Sequence, residues 1–208
     1  MAIESPKQFE KSILENSFLR YPLINWGILH RACLYYSSLG YQQKETPWII
    51  PENYGKTTKP HIDKSFVHNN DMFKNQAQEL VGSAEQGFIY LLLNNLLPEG
   101  KYFSVSPCFR VDNYDKTHLP WFMKLELLIH SPGNENKYLQ CVIKDAFNFF
   151  NTNSIIPCEK VMLEDGTYDI NLNGLEIGSY GIRKIESIQY VYGTGVALPR
   201  FNIANKNE

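Results

Sequence analysis

Two carboxylates, those of Asp169 and Glu176, flank the turn signal Asn173-Gly174. An Asn-Gly pair between apolar residues is typical of a two-residue type I′ hairpin turn. The two carboxylates then lie on one face of the hairpin as diagonal neighbours, about 7–8 Å apart at the backbone. Like charges at this separation repel unless a cation lies between them, and Mg²⁺ carrying a nucleotide phosphate is one such cation. A solvated polar face is the alternative interpretation.

The same turn fixes which residues of the two strands face each other. It predicts that Ile170 pairs with Ile177, so that polar and apolar side chains alternate between the two faces. Regular alternation would turn Arg183 away from Glu176. A bulge or bend at the intervening glycines would be needed to return the arginine to the polar face.

A second group of candidate residues lies on two predicted strands, residues 102–112 and 121–129. Each strand alternates between apolar and polar positions, so one face can hold helices and the other is polar. A sheet face that mixes arginine, carboxylates and an aromatic ring suggests the floor of a binding site. The polar face and the loop between the strands carry Arg110, Asp112, His118, Phe122, Lys124 and Glu126.

The elements that position these residues follow a mixed order of helices and strands. Helical spacing of apolar residues predicts the principal helices, and alternation predicts the strands. Consecutive strands with one inserted helix indicate an α+β fold with an antiparallel sheet flanked by helices. Helices are predicted at 6–18, 24–39, 83–97 and 135–151; strands at 41–50 (an edge strand because of Pro47), 78–81, 102–112, 121–129, 158–164, 167–173 and 175–183; a long loop at 52–74; and a Gly-rich segment at 193–201.

Composition narrows the class of protein. The 208 residues are 43% hydrophobic, enough for one good core, and predict a single domain over residues 1–208. A net charge of −2 argues against a broad basic surface for binding nucleic acid. The four cysteines form no Cys-x-x-Cys pair, so we expect neither a zinc site nor disulfides, and a cytoplasmic location. We expect no signal peptide, and no apolar run is long enough to span a membrane.

Four segments together resemble the catalytic core of class II aminoacyl-tRNA synthetases. The first is the helix at 24–39 with the following strand, which is similar to the family's dimer-forming first motif. The second runs from Cys108-Phe-Arg110 through Phe122 to Glu126. The third is the hairpin, whose Asp-x-x-Leu-Asn-Gly-x-Glu pattern resembles the aspartyl, asparaginyl and lysyl branch and also ammonia-dependent asparagine synthetase. The fourth is the Gly-rich segment that ends at Arg200.

The resemblance implies a role for each candidate residue. Nucleotide contacts fall on Arg110, Asp112, His118, Phe122 and Arg200, with Arg110 and Arg200 catalytic; the glycines of the fourth segment would let the backbone approach the nucleotide. The metal-bound ATP is held by Asp169 and Glu176. Substrate contacts fall on Ser83, Glu85, Glu126 and Arg183, with Glu85 taking the amino group and Arg183 reading an aspartate- or asparagine-like side chain. A first-turn acid that stabilises the helix N-terminus is the alternative for Glu85.

The implied function is that of a ligase, which uses ATP and Mg²⁺ to convert an amino acid to an aminoacyl adenylate. The acceptor is tRNA or a small molecule, the protein is a homodimer, and no anticodon-binding domain is expected. The alternative is a non-catalytic synthetase paralogue that acts as an amino-acid-binding or regulatory subunit. Pro199, in place of the family's acid before the fourth-segment arginine, and a shortened terminal helix favour this alternative. Further departures are Trp121, where relatives have glutamate, and Phe88, where aspartyl enzymes have a lysine.

Overall fold

The computed structural model describes residues 24–55, 57–58, 66–68, 78–110, 115 and 117–206. The helices are α1 (Trp26–Ser38), α2 (Glu52–Gly55), α3 (Ala84–Leu93), α4 (Glu135–Asn153) and α5 (Arg200–Ala204). The strands are β1 (Gln42–Gln43), β2 (Ile49–Pro51), β3 (Phe66–His68), β4 (Gln78–Leu80), β5 (Gly100–Phe109), β6 (Trp121–His130), β7 (Glu159–Met162), β8 (Tyr168–Leu172), β9 (Leu175–Ile185) and β10 (Ile188–Leu198).

Seven of the described strands form the main sheet, in the order β1-β5-β6-β10-β9-β8-β7. Every neighbouring pair is antiparallel except β1 with β5, which is parallel. A small antiparallel sheet, β2-β4-β3, lies apart from it. The predicted α+β fold with a largely antiparallel sheet is therefore confirmed.

The core lies between one face of the main sheet and two helices, α1 and α4. The apolar stripe of α4 is buried at the spacing of an amphipathic helix. Helix α1 is capped by Asn25, whose side chain accepts the Ile28 N–H, and is followed by Gly40 at φ +82°. On the opposite face a second buried cluster joins α3 to the sheet through Phe88, Ile89 and Leu92, and the rest of that face is left for a site. Within the described part, no helix is long and apolar enough to cross a membrane.

The hairpin of β8 and β9 differs from the predicted register by one residue. Asn173 and Gly174 form the turn, both with positive φ, and Asn171 faces Glu176. Ile170, however, faces Gly178 and not Ile177, because the register shifts at this point. Ile177 is thus the extra residue of a β-bulge, which reverses the alternation of every later residue in β9.

Other boundaries also depart from the sequence predictions. Helix α3 ends at Leu93 and not at Leu97, and Asn95 adopts a positive φ of 56° soon after it. The predicted strand at 41–50 divides around Pro47, so β1 joins the main sheet and β2 joins the small one. The predicted loop at 52–74 contains α2 and β3. The Gly-rich segment is the second half of β10. The predicted helix at 6–18 lies outside the described residues.

Candidate active site

A cavity of about 590 Å³ lies on the sheet face that the core helices leave open. Strands β6, β8, β9 and β10 contribute to it, together with the residue after β5 and the starts of α3 and α5. All but one of the residues predicted from sequence line it; Asp112 lies outside the described residues. The predicted residues in the lining are Ser83, Glu85, Arg110, His118, Phe122, Glu126, Asp169, Glu176, Arg183 and Arg200.

Arg110 and Phe122 form one end of the cavity. The Arg110 guanidinium carbon lies 5.1 Å from the centroid of the Phe122 ring, a cation–π arrangement. Its Nε also donates a hydrogen bond of 2.9 Å to the Gly82 carbonyl. These contacts orient a planar donor fork beside a flat apolar ring, which suits a phosphate next to a purine.

Arg200 approaches this end from the first residue of α5. Its Nη1 lies 3.8 Å from Oε2 of Glu176, and its Nη2 donates to the Thr117 carbonyl at 3.4 Å. Pro199, which stands where the family has an acid, is the N-cap residue of this helix and lines the cavity without obstructing the arginine. A second cation therefore reaches the same region as Arg110.

His118 is held by Asp115 on the loop between β5 and β6. One carboxylate oxygen of Asp115 lies 2.9 Å from Nδ1 of His118, and the other accepts the backbone N–H groups of Thr117 and His118. The hydrogen bond from His118 is the largest of the effects that lower the pKa of Asp115 far below its usual range. The ionised Asp115 thus fixes the orientation of the ring.

Asp169 and Glu176 form the acidic side of the cavity. Burial raises the pKa of Asp169, and the nearby charges of Glu176 and Asp165 raise it further, against a hydrogen bond from Ser179. A bound cation would relieve this cost. Mg²⁺ is usually held by one or two carboxylates together with substrate phosphates, so Asp169 and Glu176 fit a phosphate-bound ion. Among the described residues, no cluster of three or more His, Cys, Asp or Glu could form a metal site without such a phosphate.

Glu85 and Arg183 form an ion pair at the opposite end of the cavity. Nη1 of Arg183 contacts Oε1 of Glu85, which also accepts the hydroxyl of Tyr190 at 3.0 Å. The Arg183 guanidinium lies 4.5 Å from the centroid of the Tyr192 ring. Burial raises the pKa of Glu85, and the Arg183 charge opposes that rise. Arg183 thus lies on the polar face, and the bulge that returns it there is at Ile177 and not at the glycines that sequence analysis names. In the cavity it contacts a protein carboxylate.

Glu126 lies beside this pair and is only 1% exposed. Its Oε2 accepts the Ser83 hydroxyl at 2.5 Å and lies 2.7 Å from Nζ of Lys124. Lys124 lines the cavity, although we assign it no role from the sequence. The signal for it is present, since strand alternation places Lys124 on the same face as Phe122 and Glu126.

The glycines of β10 face the core and not the cavity. A Cβ atom at Gly193 would lie 2.5 Å from Tyr180 and 2.7 Å from Val142, and one at Gly195 would lie 2.3 Å from Leu125. These positions therefore make room for core side chains and not, as predicted, for a nucleotide. Gly195 is also the extra residue of a second bulge, opposite β6.

One cavity on this largely antiparallel sheet thus holds Arg110, Phe122 and Arg200 together with two acid–cation pairs, Glu85 with Arg183 and Glu126 with Lys124. The family model for the tRNA synthetases class II core domain (F) matches residues 53–158. The chain therefore belongs to the class II tRNA synthetase core family, whose members are ATP-dependent ligases.

Solved structures of other synthetases share the fold. The cytoplasmic serine-tRNA ligase of Naegleria fowleri, in complex with AMP, is 16% identical with a TM-score of 0.71, and the match covers 88% of this chain and 54% of that one. The seryl-tRNA synthetase of Pyrococcus horikoshii, complexed with ATP, is 19% identical with a TM-score of 0.72, covering 90% and 53%. The pyrrolysyl tRNA synthetase PylSc of Desulfitobacterium hafniense is 17% identical with a TM-score of 0.69, covering 95% and 73%.

The chain thus spans about half the length of the two serine enzymes. At these identities the structures show the fold alone. The aspartyl, asparaginyl and lysyl branch that the hairpin resembles stays a prediction.

Proposed function

We propose that this protein binds ATP and activates an amino acid as its aminoacyl adenylate. A carboxylate oxygen of the amino acid forms a bond to the α-phosphorus of ATP. The bond from that phosphorus to the bridging oxygen breaks, and pyrophosphate leaves with the electron pair. The observation that carries this proposal is that a single cavity holds Arg110, Phe122 and Arg200 together with Glu85 and Glu126.

Positioning and charge stabilisation would account for catalysis. The attacking carboxylate is already ionised, so no side chain has to remove a proton from it. Arg110 would stabilise the charge that develops on the α-phosphate, and Arg200 would meet the outer phosphates. His118, held by Asp115, would donate to the same phosphates, and Phe122 would support the adenine ring. Asp112 stays a predicted ATP contact.

Mg²⁺ would be held by Asp169 and Glu176 together with phosphate oxygens, and it would supply positive charge to the triphosphate. Arg200 already lies 3.8 Å from Glu176, so the two cations would share this carboxylate. Burial raises the pKa of Asp169, and a cation bound at this position would lower it again.

Glu85 and Arg183 bear on the choice of amino acid. We propose an aspartate- or asparagine-like substrate because Arg183 reaches the cavity and offers a planar fork for a carboxylate or amide. Such a side chain would have to share Arg183 with Glu85. An amino acid with an uncharged side chain would leave the ion pair of Glu85 and Arg183 intact. Exchange assays with a panel of amino acids distinguish these two kinds of substrate.

The acceptor and the assembly are part of the same proposal. We expect the adenylate to be passed to tRNA or to a small molecule. A cytoplasmic location suits the free thiols of the described cysteines. We further propose a homodimer formed through the segment that contains α1 and the exposed side chain of Trp48.

The variant Arg110→Ala tests the proposed role of Arg110 in adenylation. ATP–pyrophosphate exchange should fall by about 10²–10³-fold in this variant, the usual cost of losing a transition-state charge contact. Lys137→Ala is the control because Lys137 is an exposed cation on α4, outside the cavity and outside the segment proposed to form the dimer. Near-normal exchange by Arg110→Ala would show that Arg110 has no catalytic role and would contradict the adenylation mechanism proposed here.

A non-catalytic paralogue is the second candidate. Within the described cavity, the cations at positions 124, 183 and 200 each lie beside a protein carboxylate, as expected for a site that no longer handles phosphate. ATP with Mg²⁺ should then leave the melting temperature unchanged. A clear upward shift favours the enzyme, because a ligand that binds only the folded state stabilises it.

A further inference from the structure

The Lys124 side chain lies between the two halves of the cavity. Residues 122, 124 and 126 alternate onto one face of β6, at intervals of about 7 Å along the strand. Phe122 marks the end where the adenine would lie, and Glu126 marks the amino-acid end. A cation at position 124 is therefore beside the region in which the amino-acid carboxylate and the α-phosphate must meet.

The amino-acid end already contains two acids and two cations. Glu85 pairs with Arg183, and Glu126 pairs with Lys124. The two pairs lie close enough to interact, since Arg183 and Lys124 lower the pKa of Glu85 and Glu126 raises it. Glu85, to which the family resemblance gives the amino group, already contacts Arg183 and Tyr190, so Glu126 is the acid that we consider for the ammonium of an amino acid. This ammonium would add a third cation here. It could bind Glu126 closely only if Lys124 moved away, because two ammonium groups on one carboxylate oxygen repel each other.

The two cations differ in their freedom to move. Arg183 is fixed by the Glu85 contact and by stacking on Tyr192. Lys124 has a flexible four-carbon stem, and the described structure pairs its ammonium with one oxygen of Glu126. Ser83 stays hydrogen-bonded to that oxygen, so Glu126 keeps its position when the lysine leaves.

We propose that Lys124 changes partner when the amino acid binds: the substrate ammonium replaces it on Glu126, and Lys124 turns to the substrate carboxylate. The lysine stays protonated and transfers no proton. It holds the carboxylate oxygen against the α-phosphorus and so couples recognition of the ammonium to the reaction. This inference rests on the proposed adenylation.

Exchange kinetics on Lys124→Gln test the proposal. The probes are the amino acid that gives the fastest exchange among the twenty and the carboxylic acid that has the same side chain but no amino group. For the amino acid, kcat should fall at least about tenfold while the KM for ATP stays nearly unchanged. Lys184→Gln, at an exposed position on β9, is the matched control. A higher KM for the amino acid with an unchanged kcat would overturn the proposal, since Lys124 would then only balance the charge of Glu126.

Glu126→Gln supplies an independent variant because it releases Lys124 without any substrate ammonium. Relative to the wild-type protein, this variant should lose exchange with the amino acid but gain it with the acid that lacks an amino group. A loss on both probes, with the ATP-induced rise in melting temperature preserved to show a folded site, would contradict the change of partner. Absence of exchange in the wild-type protein would instead count against the proposed function itself.

Discussion

Arg183 and Glu176 line the same cavity although an odd number of positions separates them along β9. Regular alternation would place them on opposite faces, but the bulge at Ile177 shifts the register between them. The hairpin turn sets the position of Glu176, and the bulge sets that of Arg183. One strand therefore supplies two side chains to the same cavity, an acid beside Arg200 and a cation beside Glu85.

ATP with Mg²⁺ should raise the melting temperature of the wild-type protein. A ligand present at a hundred times its dissociation constant stabilises the folded state by about 2.7 kcal/mol. Phe122→Ala should reduce the shift because the adenine loses its supporting ring. Differential scanning fluorimetry measures both. Phe147→Ala, on the half-buried part of α4 away from the cavity, controls for general loss of stability; an equal loss of shift in the two variants would exclude Phe122 from the nucleotide site.

Asp169→Asn should stabilise the ligand-free protein at neutral pH. Because folding raises the pKa of Asp169, its ionised form opposes folding above that raised pKa, and the cost disappears once the pH falls below the ordinary aspartate range. The difference in melting temperature between variant and wild type should therefore shrink towards low pH. Melting curves across a pH series measure it.

The same variant should also lose the Mg²⁺-dependent part of the ATP-induced shift. Asp145→Asn is the control, because burial raises the pKa of Asp145 as well but this residue bonds Tyr41 outside the cavity. If Asp169→Asn kept the full Mg²⁺ dependence, Asp169 would not be a ligand of the phosphate-bound ion.

Arg183→Met should destabilise the protein by up to about 3 kcal/mol, since it leaves the buried carboxylate of Glu85 without its cation. Adding Glu85→Gln to this variant should recover part of the loss, because no uncompensated charge then remains. Chemical denaturation measures the free energies of unfolding. The exposed neighbour variant Lys184→Met should change stability by less than about 0.5 kcal/mol. Simple additivity of the Arg183 and Glu85 changes would show that the pair is not coupled.

Gly193→Ala should destabilise the fold by about 1–3 kcal/mol through overpacking against Tyr180 and Val142. The effect should appear in chemical denaturation and not in the affinity for ATP, since the added methyl group faces the core. Gly166→Ala is a contrasting control: its Cβ would meet no atom within 4 Å, so any cost comes from its φ of +80°. A selective loss of ATP binding by Gly193→Ala would restore the nucleotide role that sequence analysis assigns to this glycine.

The elements with strong local signals are those that sequence predicts well. Helix α4 has a continuous apolar stripe, and the Asn173-Gly174 turn fixes its own hairpin. The early end of α3 has a local signal as well, since Asn94 and Asn95 follow Leu93 and Asn95 takes the positive φ that often ends a helix. Leu96 and Leu97 resume the apolar pattern, and for this reason the predicted helix extends too far.

The candidate site is predictable residue by residue, but its internal pairing is not. Motif spacing places Glu85, Arg183 and Glu126 in one site, and alternation along β6 adds Lys124 to the same face. That Arg183 pairs with Glu85 depends on a bulge in β9 and on the position of α3, which are properties of the tertiary fold. Sequence spacing alone cannot give such long-range distances.

ATP–pyrophosphate exchange by the wild-type protein, with Mg²⁺ and each of the twenty amino acids in turn, tests the proposed adenylation most directly. We expect exchange with one amino acid or a small related set, at a rate that Arg110→Ala lowers by about 10²–10³-fold and Lys137→Ala preserves. Absence of exchange with every amino acid, in a protein whose melting temperature ATP does not change, would contradict the proposed activity and favour the non-catalytic paralogue.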